Sequence, residues 1–241
     1  MPRYTVVFVE LIDSRFDAPM HILKQIFFEV KWAVFVVGHR VKSRVLVLKR
    51  LFIVPNLPEN PDGKILIHLG CGDVNSPEFI NVDARSAPHI HYVRDVCDLS
   101  VFPDNYADLV YACHVLEHIR HNNLRKTLWE WRRILRPGGI LRLSVPDFDA
   151  LIDIYRACDN NIDGIAAPLM GGQDFAENIH YSVFNLKYIS RFLTEAGFRS
   201  VREWDPNQVD YHDFEDWASK PIERNGKKYR VSLNVEAIKQ C

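Results

Sequence analysis

The stretch Lys64-Ile65-Leu66-Ile67-His68-Leu69-Gly70-Cys71-Gly72 decides the fold. An apolar run of strand length that ends in glycines reads as a strand buried on both faces of a sheet. Glycines at its carboxyl end let the backbone turn sharply and approach a ligand without a Cβ in the way. In open α/β sheets the ligand crevice lies beyond that end of the strands. A lone G-x-G is equally well explained as a structural turn, so the residues around it have to decide.

Working outward, residues 79–82 form a short second strand closed by Asp83, and 91–93 a weak third. Pro103-Asp104-Asn105 is turn chemistry, and it precedes a fourth strand over 108–113. Leu124, Leu128, Trp131 and Leu135 recur at helical spacing and predict a helix over 123–135, stopped by Pro137-Gly138-Gly139. A fifth strand over 140–145 ends at Pro146-Asp147. A helix over 186–196, with Leu186, Ile189 and Leu193 inward and Gly197 as its cap, leads to strands over 198–204 and 231–238. Strands alternating with helices predict an α/β fold with a parallel sheet covered on both faces.

Pro55, Pro58, Pro61 and Gly63 make a linker that divides the chain into an appendage, 1–62, and a main domain, 63–241. The appendage carries a predicted helix over 22–37, a predicted strand over 45–48, and a basic run of Arg40, Lys42, Arg44, Lys49 and Arg50. That run reads as a solvated face or as a docking surface for an anionic partner, either membrane lipid or a phosphorylated substrate. A peripheral membrane contact would therefore run through residues 40–50.

Hydrophobic content of 47%, charged content of 25% and a net charge of -1 describe a globular chain with no field to recruit nucleic acid. The apolar runs are too short for a membrane span, and no signal peptide opens the sequence. Cys71, Cys97, Cys113, Cys158 and Cys241 form no CxxC pair, which suits a reducing cytoplasm. No full metal-ligand set of His and Cys stands out in the sequence, so metal-independent chemistry is expected.

Asp83 follows Gly72 by eleven residues and ends the second strand, where a carboxylate can accept both hydroxyls of an adenosine ribose. Dinucleotide folds use the same device with a full helix in a longer gap. Here Asn75, Ser76 and Pro77 leave room for at most a very short helix, and Asn75 breaks G-x-G-x-x-G. Both departures count against a nicotinamide enzyme.

Four blocks in order, ILIHLGCG (65–72), NVDAR (81–85), RDVCDLSVFPDNYADLVYACHVLEHI (94–119) and RRILRPGGILRLSVPD (132–147), resemble class I S-adenosylmethionine-dependent methyltransferases of the type 11 group. The resemblance covers roughly 63–200. It implies a Rossmann-like, doubly wound, seven-stranded sheet, mostly parallel with an antiparallel last strand. It also implies S-adenosylmethionine as cofactor and S-adenosylhomocysteine as product. By resemblance, Gly70, Cys71 and Gly72 pass the methionine part and Asp83 binds the ribose, with Ala84 and Arg85 beside the adenine. Asp95 and Val96 meet the adenine edge and ring, and His114 lines the methionine side. His68 departs from the family, which has an acid or amide near the cofactor's amino group there. The short segment after the glycines and the closing SLNVEA (232–237) are similar to a subset from surface-polysaccharide and sugar biosynthesis. The acceptor implied is a small molecule: a hydroxyl of a sugar, nucleotide sugar or glycan precursor.

Transfer to a hydroxyl needs a proton acceptor, and histidine suits that near neutral pH. His114, His118, His180 and His212 are candidates. His180 is favoured because it lies in a Gly-rich excursion after the fifth strand, where loops carry function. Asp147 is second, at the carboxyl end of that strand, and 211–214 is expected to complete the pocket. For Glu117 and His118 capping and catalysis both stay open, Asp108 reads as a turn acid, and Trp129 and Trp131 read as packing. A noncatalytic scaffold and a nicotinamide-dependent oxidoreductase are the competing functions.

Overall fold

The computed structural model describes residues 56–174 and 177–240. The expected helix, strand and basic run of the appendage lie outside the described residues. The strands are β1 (Leu66–Leu69), β2 (Phe79–Asp83), β3 (Tyr92–Val93), β4 (Ala107–Cys113), β5 (Leu135–Pro146), β6 (Phe198–Glu203), β7 (Pro221–Arg224), β8 (Lys227–Arg230) and β9 (Ser232–Lys239). The helices are α1 (Leu124–Ile134), α2 (Phe148–Ala157), α3 (Ala166–Met170) and α4 (Leu186–Glu195). One sheet of seven strands runs β3-β2-β1-β4-β5-β9-β6. Its pairs are parallel except those of β9, which is antiparallel to both β5 and β6. This is the Rossmann-like doubly wound α/β fold expected from the sequence.

All four residues of β1 are buried, as a central parallel strand requires. Alternation sends Ile67 and Leu69 to one face, with Val110, Leu128, Trp131 and Leu143 in the larger core. Leu66 goes to the other face, with Phe79, Leu109, Tyr111 and Trp204. Burial fixes which edge of α1 faces inward: Leu124, Thr127, Leu128, Trp131 and Ile134. Trp131 is fully buried, while Trp129 is 56% exposed, so only the first of the two expected packing tryptophans packs. On α4 the inward residues are Ile189, Phe192 and Leu193; Leu186, expected inward, follows the N-cap Asn185 and is exposed.

Four elements were absent from the sequence reading. The excursion after β5 holds α2 and α3, and a hairpin of β7 and β8 interrupts the approach to β9. Among the described residues no helix is long and apolar enough to cross a membrane.

The chain reverses its winding direction at β1, which has β2 on one side and β4 on the other. That switch point opens a crevice at the carboxyl ends of these strands.

Candidate functional site

The crevice is a cleft of about 550 Å³ whose walls include Gly70, Asp83, Val96, His114, His118 and Tyr181. Gly70 has φ of +61°, and a Cβ there would sit 2.4 Å from Cγ2 of Val115. Only glycine allows this turn beside that wall. The amides of Gly70 and Cys71 both donate to the carbonyl of Val82, 2.8 and 3.3 Å away, which pins the loop to β2.

Asp83 ties the two loops together. Its Oδ2 accepts the Gly72 amide at 2.8 Å and its Oδ1 accepts the Arg85 amide at 2.8 Å. A carboxylate offers about four lone-pair directions. The two amides leave two, one of which Arg85 Nε, on a half-exposed side chain, reaches only at 3.4 Å, so a ligand hydroxyl could replace it. Two acceptor directions on one anion are what a ribose diol needs. The side chain is held by backbone on both sides, so it is aimed before any ligand arrives. Beyond it, Asp95 is exposed, and its Oδ1 accepts the Cys97 amide at 2.8 Å, turning the chain across the cleft. Trp131 Nε1 holds the Val96 carbonyl at 2.8 Å from below.

Of the residues that the resemblance put against the cofactor, Gly70, Asp83, Ala84, Arg85, Asp95, Val96 and His114 line the cleft. Gly72 meets it through its bond to Asp83. Cys71 is buried, and burial pushes its thiol far above the ordinary range. His68 is elsewhere. Its ring stacks on Phe214 at 5.7 Å and meets Tyr111 at 4.9 Å and Phe79 at 5.9 Å, in the core behind the sheet. The position alternates with Ile67 and Leu69, so its side chain leaves the opposite face. It is 1% exposed, and burial lowers its pKa to about 4. His212 and Phe214 belong to the same buried group, where Tyr111 donates to Asp216, so the 211–214 segment backs the sheet instead of completing the pocket.

Asp147 is also placed otherwise. It N-caps α2, accepting the Asp149 amide at 3.1 Å, and is not in the cleft wall. Burial raises its pKa. Asp108 accepts the Ile65 amide at 2.9 Å and pairs with Arg136, a structural acid as read.

Beside the Gly70 turn, His114 follows β4 with φ of +53°, and a short 3-10 turn, Leu116–His118, comes next. Glu117 makes no cap bond there. It turns inward, is 0% exposed, and neither carboxylate oxygen has a hydrogen-bond partner. Three imidazoles surround it. His114 Nδ1 is 3.2 Å from Oε1, His180 Nε2 is 4.0 Å away, and the ring of His118 is 4.7 Å from that of His180. Burial would raise the Glu117 carboxyl, but His114, His118 and His180 outweigh it and hold the pKa below the usual value. Burial lowers that of His180, partly offset by Glu117.

The loop carrying His180 is fastened to this turn. The amides of Tyr181 and Ser182 both donate to the Glu117 carbonyl, 2.8 and 3.3 Å away. Gly171, φ +81°, lets the loop lie flat, since a Cβ there would meet the Asn178 carbonyl at 2.5 Å. His180 thus reaches the site from behind Glu117 and does not itself line the cleft. His118 lines it, with Arg120 stacked over Tyr181 at 4.9 Å. Glu117, His118 and His180 form a set whose ligand atoms lie within 4.8 Å of one another. Sequence spacing did not reveal this set, because the third member comes from a distant loop.

Residues 69–143 match a family model described as a methyltransferase domain. The chain is 30% identical over 151 residues to the ubiquinone/menaquinone biosynthesis C-methyltransferase UbiE of Vibrio vulnificus, covering 56% of this chain and 55% of that protein. Against the protein of the same name from Vibrio campbellii the identity is 24% over 155 residues, 57% of each chain. The matches span about half the length of these curated relatives. A S-adenosylmethionine-dependent methyltransferase of Archaeoglobus fulgidus superposes with a TM-score of 0.47 at 15% identity, covering 86% of this chain and 99% of that one. The Burkholderia thailandensis 1,6-didemethyltoxoflavin-N1-methyltransferase, solved with S-adenosylhomocysteine, gives 0.47 at 15% identity over 95% of this chain and 94% of that one. The stretch that matches the methyltransferase-domain model, residues 69–143, is the one that supplies the glycine turn, Asp83, Asp95 and His114.

Proposed function

We propose that this chain transfers a methyl group to a small polar acceptor that is activated at the Glu117–His118–His180 cluster. The observation that carries the reading is that Asp83, held by two backbone amides, and His118, next to the buried Glu117, line one cleft. S-adenosylmethionine supplies an electrophilic methyl on a sulfonium, and transfer is an in-line displacement governed by alignment. Asp83 and the Gly70 turn hold the donor. The two nitrogens of His114 face Ser232 Oγ at 2.8 Å and the buried Glu117 Oε1 at 3.2 Å. His118 is therefore the cleft-lining histidine with a ring nitrogen to spare, since only its Nδ1 is engaged, with the Ile179 carbonyl at 3.2 Å. In this reading His180 acts from behind, by fixing Glu117 and His118.

Arg120, Asn123, Glu177, Asn178 and Tyr181 give the cleft a polar wall with one cation and one carboxylate. That wall suits the hydroxyl of a sugar, nucleotide sugar or glycan precursor, and the arginine suits a phosphorylated one. The sugar assignment rests on this wall and on the sequence resemblance. A carbon acceptor is the second reading, favoured by the names of the curated relatives. Residues 63–241 carry the activity in this reading.

The test is S-adenosylhomocysteine release by purified protein, with phosphorylated and nucleotide-linked sugars in one panel and phenolic acceptors in another. Turnover in the first panel only is expected, and turnover in the second only would replace the sugar reading. His180→Ala is expected to lose turnover while keeping S-adenosylhomocysteine affinity; unchanged turnover would remove His180 from the activating cluster.

A further inference from the structure

The protons around Glu117 can be placed from their partners. Ser232 Oγ donates its hydrogen to the Trp217 carbonyl at 2.7 Å, so toward His114 Nε2 it can only accept. His114 therefore carries its hydrogen on Nε2, and in its neutral form a bare Nδ1 lone pair faces Oε1 of Glu117 at 3.2 Å. The Ile179 and Pro168 carbonyls are also acceptors only. They put the hydrogens of His118 and His180 on Nδ1, at 3.2 and 3.1 Å, and leave each Nε2 as a lone pair. When the three rings are neutral, a fully buried carboxylate with no hydrogen bond to either oxygen is thus surrounded by imidazoles that offer it electron pairs. Such a centre lacks a cation.

The same arrangement is what a metal site requires. Ligating histidines commonly donate their other ring nitrogen to a backbone carbonyl, which fixes the tautomer and raises ligand basicity. Two imidazoles and one carboxylate, with ligand atoms already within 4.8 Å, form a three-ligand set that leaves an open position. Tetrahedral ligation at about 2.0–2.1 Å would draw these atoms to about 3.3 Å apart, a movement within reach of side-chain rotation. His114 and His118 line the cleft, so the open position is on the acceptor's side.

We propose that Glu117, His118 and His180 bind one divalent first-row transition cation of the zinc type, with His114 as the nearest further donor. The site is argued from the residues alone. Its use, polarising an acceptor oxygen so that its proton leaves more easily, rests on the methyl-transfer reading above. This revises the expectation of metal-independent chemistry drawn from sequence spacing.

The test is calorimetric titration of zinc into chelator-stripped full-length protein, without donor or acceptor. One ion per chain is expected, with affinity reduced at least a hundredfold in both Glu117→Gln and His180→Ala. Cobalt as a chromophoric probe is expected to show d–d bands without thiolate charge transfer, which separates this site from the cysteines. Near-normal S-adenosylhomocysteine affinity in both variants shows that they are folded. No stoichiometric zinc binding by the wild type, or binding undiminished in both variants, would overturn the proposal and leave protons as the compensating charge. Zinc binding without S-adenosylhomocysteine binding would instead sink the methyl-transfer reading and spare the site.

Discussion

His68 offers a test in which the sequence pattern and the structure predict opposite results. If it touched the cofactor, removing it would weaken binding. The structure instead buries it behind the sheet, with its pKa lowered from 6.5 to about 4. Burial is the main cause; His212 and His89 lower it further, and Asp216 and Asp83 partly oppose. The folded state therefore holds His68 neutral while the unfolded chain takes up a proton below about 6.5. Stability is fully present above that value and falls as pH drops toward 4, by about 1.4 kcal/mol per unit at the steepest. Between pH 7.5 and 5.0 the linkage integral amounts to about 2 kcal/mol for this one group. His68 Nδ1 has no hydrogen-bond partner, so His68→Leu removes the proton site without orphaning a neighbour there. Urea unfolding of wild type and variant at both pH values isolates the effect, because all other titrations cancel in the difference. The variant is expected to lose about 2 kcal/mol less than wild type on acidification, and to bind S-adenosylhomocysteine with wild-type affinity. Equal acid slopes, or a tenfold loss of cofactor affinity, would refute the buried-neutral placement.

Asp83→Ala removes two charged acceptor directions, each worth about 1.5–3 kcal/mol, so cofactor affinity is expected to fall at least a hundredfold. Calorimetry checks this, and a loss under tenfold would take the ribose away from Asp83. Gly70→Ala puts a Cβ into Val115 and an L-residue at φ of +61°, costing roughly 1–3 kcal/mol of stability. The paired change Gly70→Ala with Val115→Ala should recover the steric part in a melting experiment; no recovery would mean that backbone strain dominates.

The sheet was legible where burial dictates composition. β1 and β4 are near-continuous apolar runs because both of their faces are covered, and α1 shows its buried stripe at helical spacing. The β7–β8 hairpin was missed although its signal was present: Asn225 and Gly226 take φ of +51° and +72°, the turn that Asn-Gly favours between strands. At the site, the glycines and Asp83 were legible because backbone geometry demands those residue types at strand ends. Glu117 was not. In sequence a carboxylate after a strand is indistinguishable from a helix cap, and its inward turn depends on a loop some sixty residues later folding over it. His68 misled for a related reason, because a residue beside the glycine turn can leave either face of a fully covered sheet.

The cleft is expected to bind an adenosyl sulfonium cofactor and not a dinucleotide. Calorimetric titration of wild-type protein with S-adenosylhomocysteine and, separately, NAD tests it most directly. Saturable one-to-one binding of S-adenosylhomocysteine with no heat from NAD is predicted. Tight binding of NAD alone, or of neither, would contradict it.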